Sequence, residues 1–147
     1  MTMSDLSQHA KDEIARVFHG APFVADIGME LVSIGAGECE TVIRLEPRHM
    51  QQDGVVHAGV HATIADHTAG TAAVTLIGAH EMALSAEFKI NLLRAAKGEL
   101  LRCRAKVLKP GKQLSVVESE VYCENGGDSK LVSKATVTLA ILSKDRR

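Results

Sequence analysis

One carboxylate lies in the middle of an otherwise apolar segment rich in small residues, at positions 55–77. The carboxylate belongs to Asp66, and the length of the segment predicts a buried helix. An ionised side chain in such a helix loses hydration that the protein must replace, so it is usually paired, protonated or functional. We therefore take Asp66 as the leading candidate for a catalytic residue.

Small residues surround Asp66 on the helical wheel. At about 100° per residue the neighbours on its face have little bulk, whereas larger side chains lie elsewhere. This pattern predicts either close packing against a sheet, with a hydrogen-bonded Asp66, or a binding site. The small neighbours are Gly59, Ala62, Thr63, Ala69, Gly70 and Ala73, and the bulky residues are Val60, Ile64 and Val74.

Three histidines in the same segment raise the possibility of a metal site. His57, His61 and His67 have the offsets of the ligands in the extended zinc-protease motif. However, Ala58 replaces the glutamate base of that motif, and Ile64 replaces its glycine. On a continuous helix His61 and His67 also diverge by about 120°. We therefore predict no metal.

The composition argues against several classes of protein. Seventeen Lys and Arg against eighteen Asp and Glu give a net charge of -1, and four aromatic residues are scattered along the chain. Neither feature suits nucleic-acid binding. The cysteines at positions 39, 103 and 123 lack a CxxC spacing, which favours a reducing cytoplasm. Without a signal-type apolar core near the N-terminus, we expect neither secretion nor a membrane span.

The remaining patterns predict one α+β domain. A short amphipathic helix over residues 4–19, with Ser4 or Asp5 as N-cap, precedes a core over residues 21–142. Alternating segments and turn residues predict six strands, of which the last three form a meander. Residues 21–26 are expected to form a connector and residues 47–55 an irregular loop. The predicted strands are 27–34, 39–45, 83–92, 99–108, 114–124 and 131–142.

Several motifs together identify a family. They are Gln51, His57-Ala58-Gly59, Asp66 nine positions after His57, Ser85-Ala86, Leu93-Arg94 and the terminal meander. On these residues the chain resembles the PaaI-like acyl-CoA thioesterases, over roughly residues 21–142. The resemblance implies a hotdog fold, in which a curved antiparallel sheet wraps a long central helix.

The chain also departs from the family pattern. Relatives typically carry His-Gly-Gly where this chain has His57-Ala58-Gly59, and they carry a proline-containing loop in place of residues 93–98. They often place Ser or Thr one turn beyond the acid, where this chain has Gly70. A hydroxyl that orients water is therefore either missing or supplied by Ser85 or Thr63.

The resemblance implies a hydrolase that cleaves a thioester without a metal or redox cofactor. Asp66 would act as general base or as nucleophile, and the sequence leaves both roles open. The first amide of the helix, on Ala58, alone or with Gly59, is the expected donor to the oxyanion. Gln51 would position the carbonyl or the water, and His57 would orient the loop.

The expected substrate is an acyl-CoA thioester, bound by Gly59, Thr63, Gly70, Ser85 and Arg94. Arg94, Lys97 and Lys112 either contact the phosphates of coenzyme A or simply form a solvated surface. The acyl group is not determined, although Val60 or Leu84 is expected in the apolar wall. Resemblance also implies a homodimer or homotetramer with sites at the subunit boundary.

Two other functions use the same fold. A non-catalytic sensor would bind acyl-CoA without turning it over, although Asp66 and Gln51 disfavour this role. A dehydratase or hydratase would require a catalytic histidine paired with a carboxylate in a different loop arrangement. The position of Asp66 within the helix fits hydrolysis better.

Overall fold

A computed structural model describes residues 3–146 of the chain. Within this range one antiparallel sheet curves around a long helix, so the predicted α+β hotdog fold is confirmed. Residues 1, 2 and 147, which the domain prediction included, lie outside the described residues. The elements are α1 (Gln8–Ile14), α2 (Pro22–Ile27), β1 (Met29–Gly35), β2 (Glu38–Arg44), α3 (Ala58–Val74), β3 (Glu81–Leu92), β4 (Leu100–Lys109), β5 (Leu114–Asn125) and β6 (Asp128–Ser143).

The strand order across the sheet is β1-β2-β4-β5-β6-β3. β4, β5 and β6 pair consecutively, as the predicted meander requires. β3 precedes them in sequence but pairs with the far side of β6, and therefore forms one edge of the sheet of described strands. The chain crosses from β2 to this opposite edge through α3.

The helix α3 is buried along most of its length against the concave face of the sheet. Buried polar contacts fix it there in addition to apolar packing. The Ser119 hydroxyl donates to the Ala65 carbonyl at 2.7 Å, and the hydroxyls of Thr41 and Thr68 lie 2.7 Å apart. A rotation of α3 would leave these buried groups without hydrogen-bond partners, which is unfavourable. The two contacts therefore fix the rotation of α3.

The helix is shorter than the predicted segment of residues 55–77. It begins after His57, whose Nδ1 accepts the Gly59 N–H at 2.8 Å as an N-cap. It ends before Thr75, whose hydroxyl donates to the Ala72 carbonyl at 2.7 Å. These local side-chain bonds end the helix although the flanking residues remain apolar. No helix within residues 3–146 is long and apolar enough to cross a membrane.

The N-terminal region differs from the prediction in three ways. The helix predicted over residues 4–19 begins only at Gln8, and after Ile14 it continues as a π-helix over Ala15–His19. The N-cap of α1 is Ser7, whose hydroxyl accepts the Ala10 N–H, and neither Ser4 nor Asp5. The expected connector at 21–26 was wrong, because Pro22–Ile27 forms α2. Proline suits the first turn of a helix, and Gly28 ends it at φ 77°. Six residues are too few to display a helical period.

The turn between β5 and β6 also shifts a boundary. Gly126 and Gly127 have φ values of 58° and 88°, the left-handed pair of a two-residue hairpin turn. β6 consequently begins at Asp128, three residues before the predicted start. The remaining predicted strands agree with the observed ones to within about two residues at each end.

Candidate active site

The Asp66 carboxylate is half-buried and accepts a hydrogen bond from Ser85. The Ser85 hydroxyl lies 2.6 Å from Oδ1 of Asp66, so α3 and the edge strand β3 meet at this pair. The pair lines a cavity of about 150 Å³ whose other walls are largely apolar. Further lining residues are Val17, His67, Gly70, Val74, Leu84 and Leu139.

Ser85 and Thr63 were the two residues predicted to supply a hydroxyl in place of one at position 70. Gly70 lines the same cavity but has no side chain to orient a water molecule. The Thr63 hydroxyl donates to the Gly59 carbonyl of the preceding turn at 2.7 Å, and Thr63 does not line this cavity. Of the two predicted substitutes, only Ser85 contacts the acid.

The first turn of α3 offers one free donor. Ala58 is exposed, and its N–H has no hydrogen-bond partner within residues 3–146. The next amide, on Gly59, already donates to His57 Nδ1. The helix macrodipole adds positive potential at this end. Ala58 rather than Gly59 is therefore the amide that can receive a carbonyl oxygen.

A separate cavity of about 160 Å³ opens beside Ala58. Its lining includes Arg94, an exposed residue whose Nη1 donates to the Leu131 carbonyl at 2.9 Å. Arg94 also borders a depression of about 150 Å³ with Lys97, Asp128 and Lys130. The other lining residues of the cavity beside Ala58 are Val56, His61, Leu92, Ala95 and Ala96.

Two predicted residues of the preceding loop make local contacts. The Gln51 side chain accepts the Asp53 N–H within its own turn and lines neither cavity. The His57 N–H donates to the His49 carbonyl at 2.9 Å, while its ring caps the helix. These contacts give His57 a structural part in positioning the helix N-terminus.

The basic residues that were considered for coenzyme A do not lie together. Lys97 is adjacent to Arg94 at the depression, whereas Lys112 lies in the loop between β4 and β5, at the opposite end of these strands. The two predicted wall residues also separate. Leu84 lines the Asp66 cavity, but Val60 is buried in the core.

Asp66 and Ala58 face different cavities of the same chain. They are eight residues apart on α3, which corresponds to about 12 Å along the helix axis. The cavity lined by Asp66 does not include Ala58, and the cavity lined by Ala58 does not include Asp66. A single copy of the chain therefore does not bring the acid and the amide donor to one carbonyl.

The three histidines of α3 make separate contacts. His57 caps the helix, His61 bonds to Ser133, and the ring of His67 packs 5.3 Å from that of Phe18. Burial lowers the pKa of His67, and its Nε2 is buried without a hydrogen-bond partner in the described part of the chain. Within residues 3–146 no group of three His, Cys, Asp or Glu side chains is arranged to hold a metal ion.

The three cysteines are buried and unpaired in the described structure. Burial raises the pKa of the Cys103 thiol to about 12, and it also raises the pKa values of Cys39 and Cys123. A thiol must ionise to act as a nucleophile, so these residues are inert at neutral pH. Asp66 remains the candidate for attack on a carbonyl or activation of water.

One residue of the site was missed as such by the sequence analysis. His61 lines the cavity beside Ala58, whereas the sequence considered it only as a metal ligand. A usable signal was present, since residues three apart on a helix share a face, and His61 follows Ala58 by three.

A curved antiparallel sheet wrapped around a long central helix is the architecture of the hotdog fold. The family model of the thioesterase superfamily matches residues 53–130, just over half of the chain. The chain belongs to this superfamily and is a thioester hydrolase, which confirms the family resemblance.

Individual relatives cover most of the chain. It is 32% identical to a thioesterase family protein from Silicibacter pomeroyi, whose solved structure matches it with a TM-score of 0.85. The match covers 92% of this chain and 97% of that protein. The chain is 27% identical to the 1,4-dihydroxy-2-naphthoyl-CoA hydrolase of Listeria monocytogenes, over 80% of this chain and 94% of that protein. The PaaI protein of E. coli, 18% identical, shares the fold with a TM-score of 0.82, over 95% of this chain and 97% of its own.

Proposed function

We propose that the protein hydrolyses an acyl-CoA thioester to a carboxylic acid and free coenzyme A. The observation that carries this proposal is the Asp66 carboxylate, held by the Ser85 hydroxyl on the wall of a largely apolar cavity. An apolar cavity suits an acyl group, and a fixed carboxylate at its wall suits attack on the adjacent carbonyl. The proposal requires no metal or redox cofactor.

Two routes are compatible with this geometry. As a base, Asp66 accepts a proton from water while the water oxygen bonds to the carbonyl carbon. As a nucleophile, Asp66 bonds to that carbon itself, and water later cleaves the resulting anhydride. In both routes the carbonyl electron pair moves to oxygen, then returns as the C–S bond breaks, and the thiolate takes up a proton. The Ala58 N–H would stabilise the transient oxyanion.

The complete site would be shared between two copies of the chain. β3 carries Ser85 beside Asp66 near one end and Leu92 beside Ala58 at the other. If two copies paired β3 to β3 antiparallel about a twofold axis near Phe88, the Ser85 end of one strand would meet the Leu92 end of its partner. Such pairing unites Asp66 of one subunit with Ala58 of the other.

The free edge of β3 favours this assembly. The strand is twelve residues long and bears Leu84, Phe88 and Leu92, which are 49%, 43% and 53% exposed. A long apolar edge strand exposes unpaired backbone groups and is unfavourable in a monomer. We therefore propose that the protein forms a homodimer or a homotetramer.

Coenzyme A would approach over the depression that adjoins the cavity beside Ala58 and shares Arg94 with it. The exposed cations Arg94, Lys97 and Lys130 line it beside one carboxylate, Asp128, and would bind phosphate groups through charge-assisted hydrogen bonds. The three unpaired thiols agree with a reducing compartment, and we propose the cytoplasm.

The activity is tested by thiol release from aromatic, short, medium and long acyl-CoA thioesters. Because the relative from Listeria is named for an aromatic substrate, 1,4-dihydroxy-2-naphthoyl-CoA belongs in the panel. We expect Asp66→Asn to lower kcat by at least about a hundredfold while leaving binding largely intact. A fully active variant would remove Asp66 from the mechanism, and saturable binding without turnover by the native protein would instead indicate a sensor.

The shared site is tested by mixing two inactive variants, Asp66→Asn and Ala58→Leu, after unfolding and refolding together. In each mixed dimer one site combines an intact Asp66 with an intact Ala58. Random pairing should restore about a quarter of the native activity. If both residues act within one chain, mixing restores nothing.

A further inference from the structure

A buried histidine and serine join α3 to β6 directly beneath the cavity at Ala58. His61 is 3% exposed and Ser133 is 0% exposed. The Nδ1 atom of His61 lies 2.8 Å from the Ser133 hydroxyl. The contact joins positions 72 residues apart in the sequence. It holds the imidazole in one orientation between helix and sheet.

The hydrogen-bonding needs of Ser133 determine where the imidazole carries its proton. Within residues 3–146 the Ser133 hydroxyl forms a hydrogen bond only with the ring of His61. A hydroxyl buried without an acceptor costs about 1–3 kcal/mol. The arrangement that avoids this cost has Ser133 donating to Nδ1, because a proton on Nδ1 would leave the hydroxyl hydrogen unpaired. The proton of the neutral ring is then on Nε2.

The Nε2 atom has no hydrogen-bond partner in the described part of the chain, although the residue is almost completely buried. His61 lines the cavity that also contains Ala58 and Arg94. The polar side chains of this cavity, those of His61 and Arg94, are therefore donors, and no carboxylate is among its described lining residues. Such a cavity suits an acceptor, such as a carbonyl oxygen or an oxyanion.

We propose that His61 is a second catalytic hydrogen-bond donor, which binds the thioester carbonyl oxygen through Nε2–H together with the Ala58 N–H. This inference rests on the proposed thioester hydrolysis. Ala58 and His61 are three positions apart on α3 and so lie on one face. Two donors commonly bind an oxyanion, and the second is not provided by Gly59, whose N–H is engaged by His57.

The surroundings keep the imidazole uncharged. Burial lowers the pKa of His61. The positive end of α3 and the guanidinium of Arg94, which borders the same cavity, disfavour a second positive charge. A neutral imidazole donates from one nitrogen only, and the bond to Ser133 fixes which one. Ser133 is thus a positioning residue that sets the tautomer.

The test compares His61→Asn with His61→Gln. The Asn amide reaches the position of Nδ1 and can bond to Ser133, but it leaves no donor at the cavity. The Gln amide reaches the position of Nε2 and retains a donor there. We expect His61→Asn to lower kcat by about a hundredfold with little change in KM, since the lost bond strengthens in the transition state. His61→Gln should retain kcat to within about tenfold of native.

The opposite order, with His61→Asn near native and His61→Gln impaired, would show that the bond to Ser133 is the only function of the residue. The proposed function is tested separately, because native turnover and its loss in Asp66→Asn do not depend on His61. If hydrolysis is established and His61→Asn keeps native kcat, only the present inference fails.

A second measurement uses the native protein, so its result does not depend on whether the variants fold. In native protein labelled with ¹⁵N-histidine, two-bond ¹H–¹⁵N correlations identify the tautomer of each neutral imidazole. We expect His61 to carry its proton on Nε2 at pH 7. A proton on Nδ1 would overturn the inference, because Nε2 would then have no hydrogen to donate.

Discussion

The Ser85 hydroxyl donates a 2.6 Å hydrogen bond to the Asp66 carboxylate, and this bond joins the central helix to the edge strand of the sheet. The acid is therefore fixed by the strand that we propose as the subunit contact. A substitution that displaces the β3 edge should therefore also displace the Asp66 carboxylate, through its bond to Ser85.

Ser85 can be tested with a matched pair of variants. Ser85→Ala removes the hydroxyl that orients Asp66 and should lower kcat by about tenfold to a hundredfold. Ser85→Thr keeps the hydroxyl, and the exposed strand position can accommodate the added methyl group. This variant should therefore retain most of the activity. Steady-state thiol release measures both. Equal activity of Ser85→Ala and the native protein would show that the bond is not used in turnover.

Ala58 can be tested through the size of its side chain. Ala58→Leu places bulk over the free amide and should lower kcat/KM by about a hundredfold, the order of effect found when an oxyanion donor is lost. Ala58→Gly leaves the amide open and should remain active, because the position lies at the exposed end of α3. Thermal unfolding of both variants provides the control for folding. An active Ala58→Leu protein would exclude this amide as the donor.

The β3 edge can be tested with a charge. Phe88→Lys places an ammonium group on a residue that is 43% exposed in the single chain and central in the proposed strand pair. We expect the variant to be a folded monomer with at most about 1% of native activity, because each copy retains only half of a site. Light scattering coupled to size-exclusion chromatography gives the mass. An active monomer would contradict the shared site.

The stability of the N-terminal helix should depend on pH through Glu13. This residue is buried, and hydrogen bonds from Arg16 and Lys144 outweigh the effect of burial and lower its pKa from 4.5 to about 2. A lowered pKa stabilises the folded state above the unfolded value, so this contribution is complete above about pH 5 and is lost as the pH falls toward 2.

Urea unfolding of the native protein and Glu13→Gln at several pH values tests this dependence. At pH 7 the native protein should be more stable by on the order of 2 kcal/mol, and the difference should vanish near pH 2. Lys11→Gln, which removes a charge on the same helix, is the control. A difference between native and Glu13→Gln that does not change with pH would show that packing, rather than ionisation, accounts for the stability.

The secondary structure was largely predictable, and its failures have local causes. The alternation in the six strands and the apolar segment around Asp66 each extend over many residues. These patterns therefore predict the correct element even where a single residue departs from them. The helix ends and α2 depend instead on one or two residues. His57 ends the run with a side-chain cap, and Pro22 with Gly28 bounds a helix too short to show a period.

By itself the sequence determined the acid, its helix, the small residues around it and the amide at the helix start, because these are fixed by neighbours along the chain. Only the tertiary structure decided that Ser85 rather than Thr63 contacts Asp66, that His61 meets Ser133, and that Ala58 faces a different cavity. These contacts join positions that are distant in the chain or opposed on one helix. They depend on strand register and on the rotation of α3, which the packing of the whole sheet sets at once.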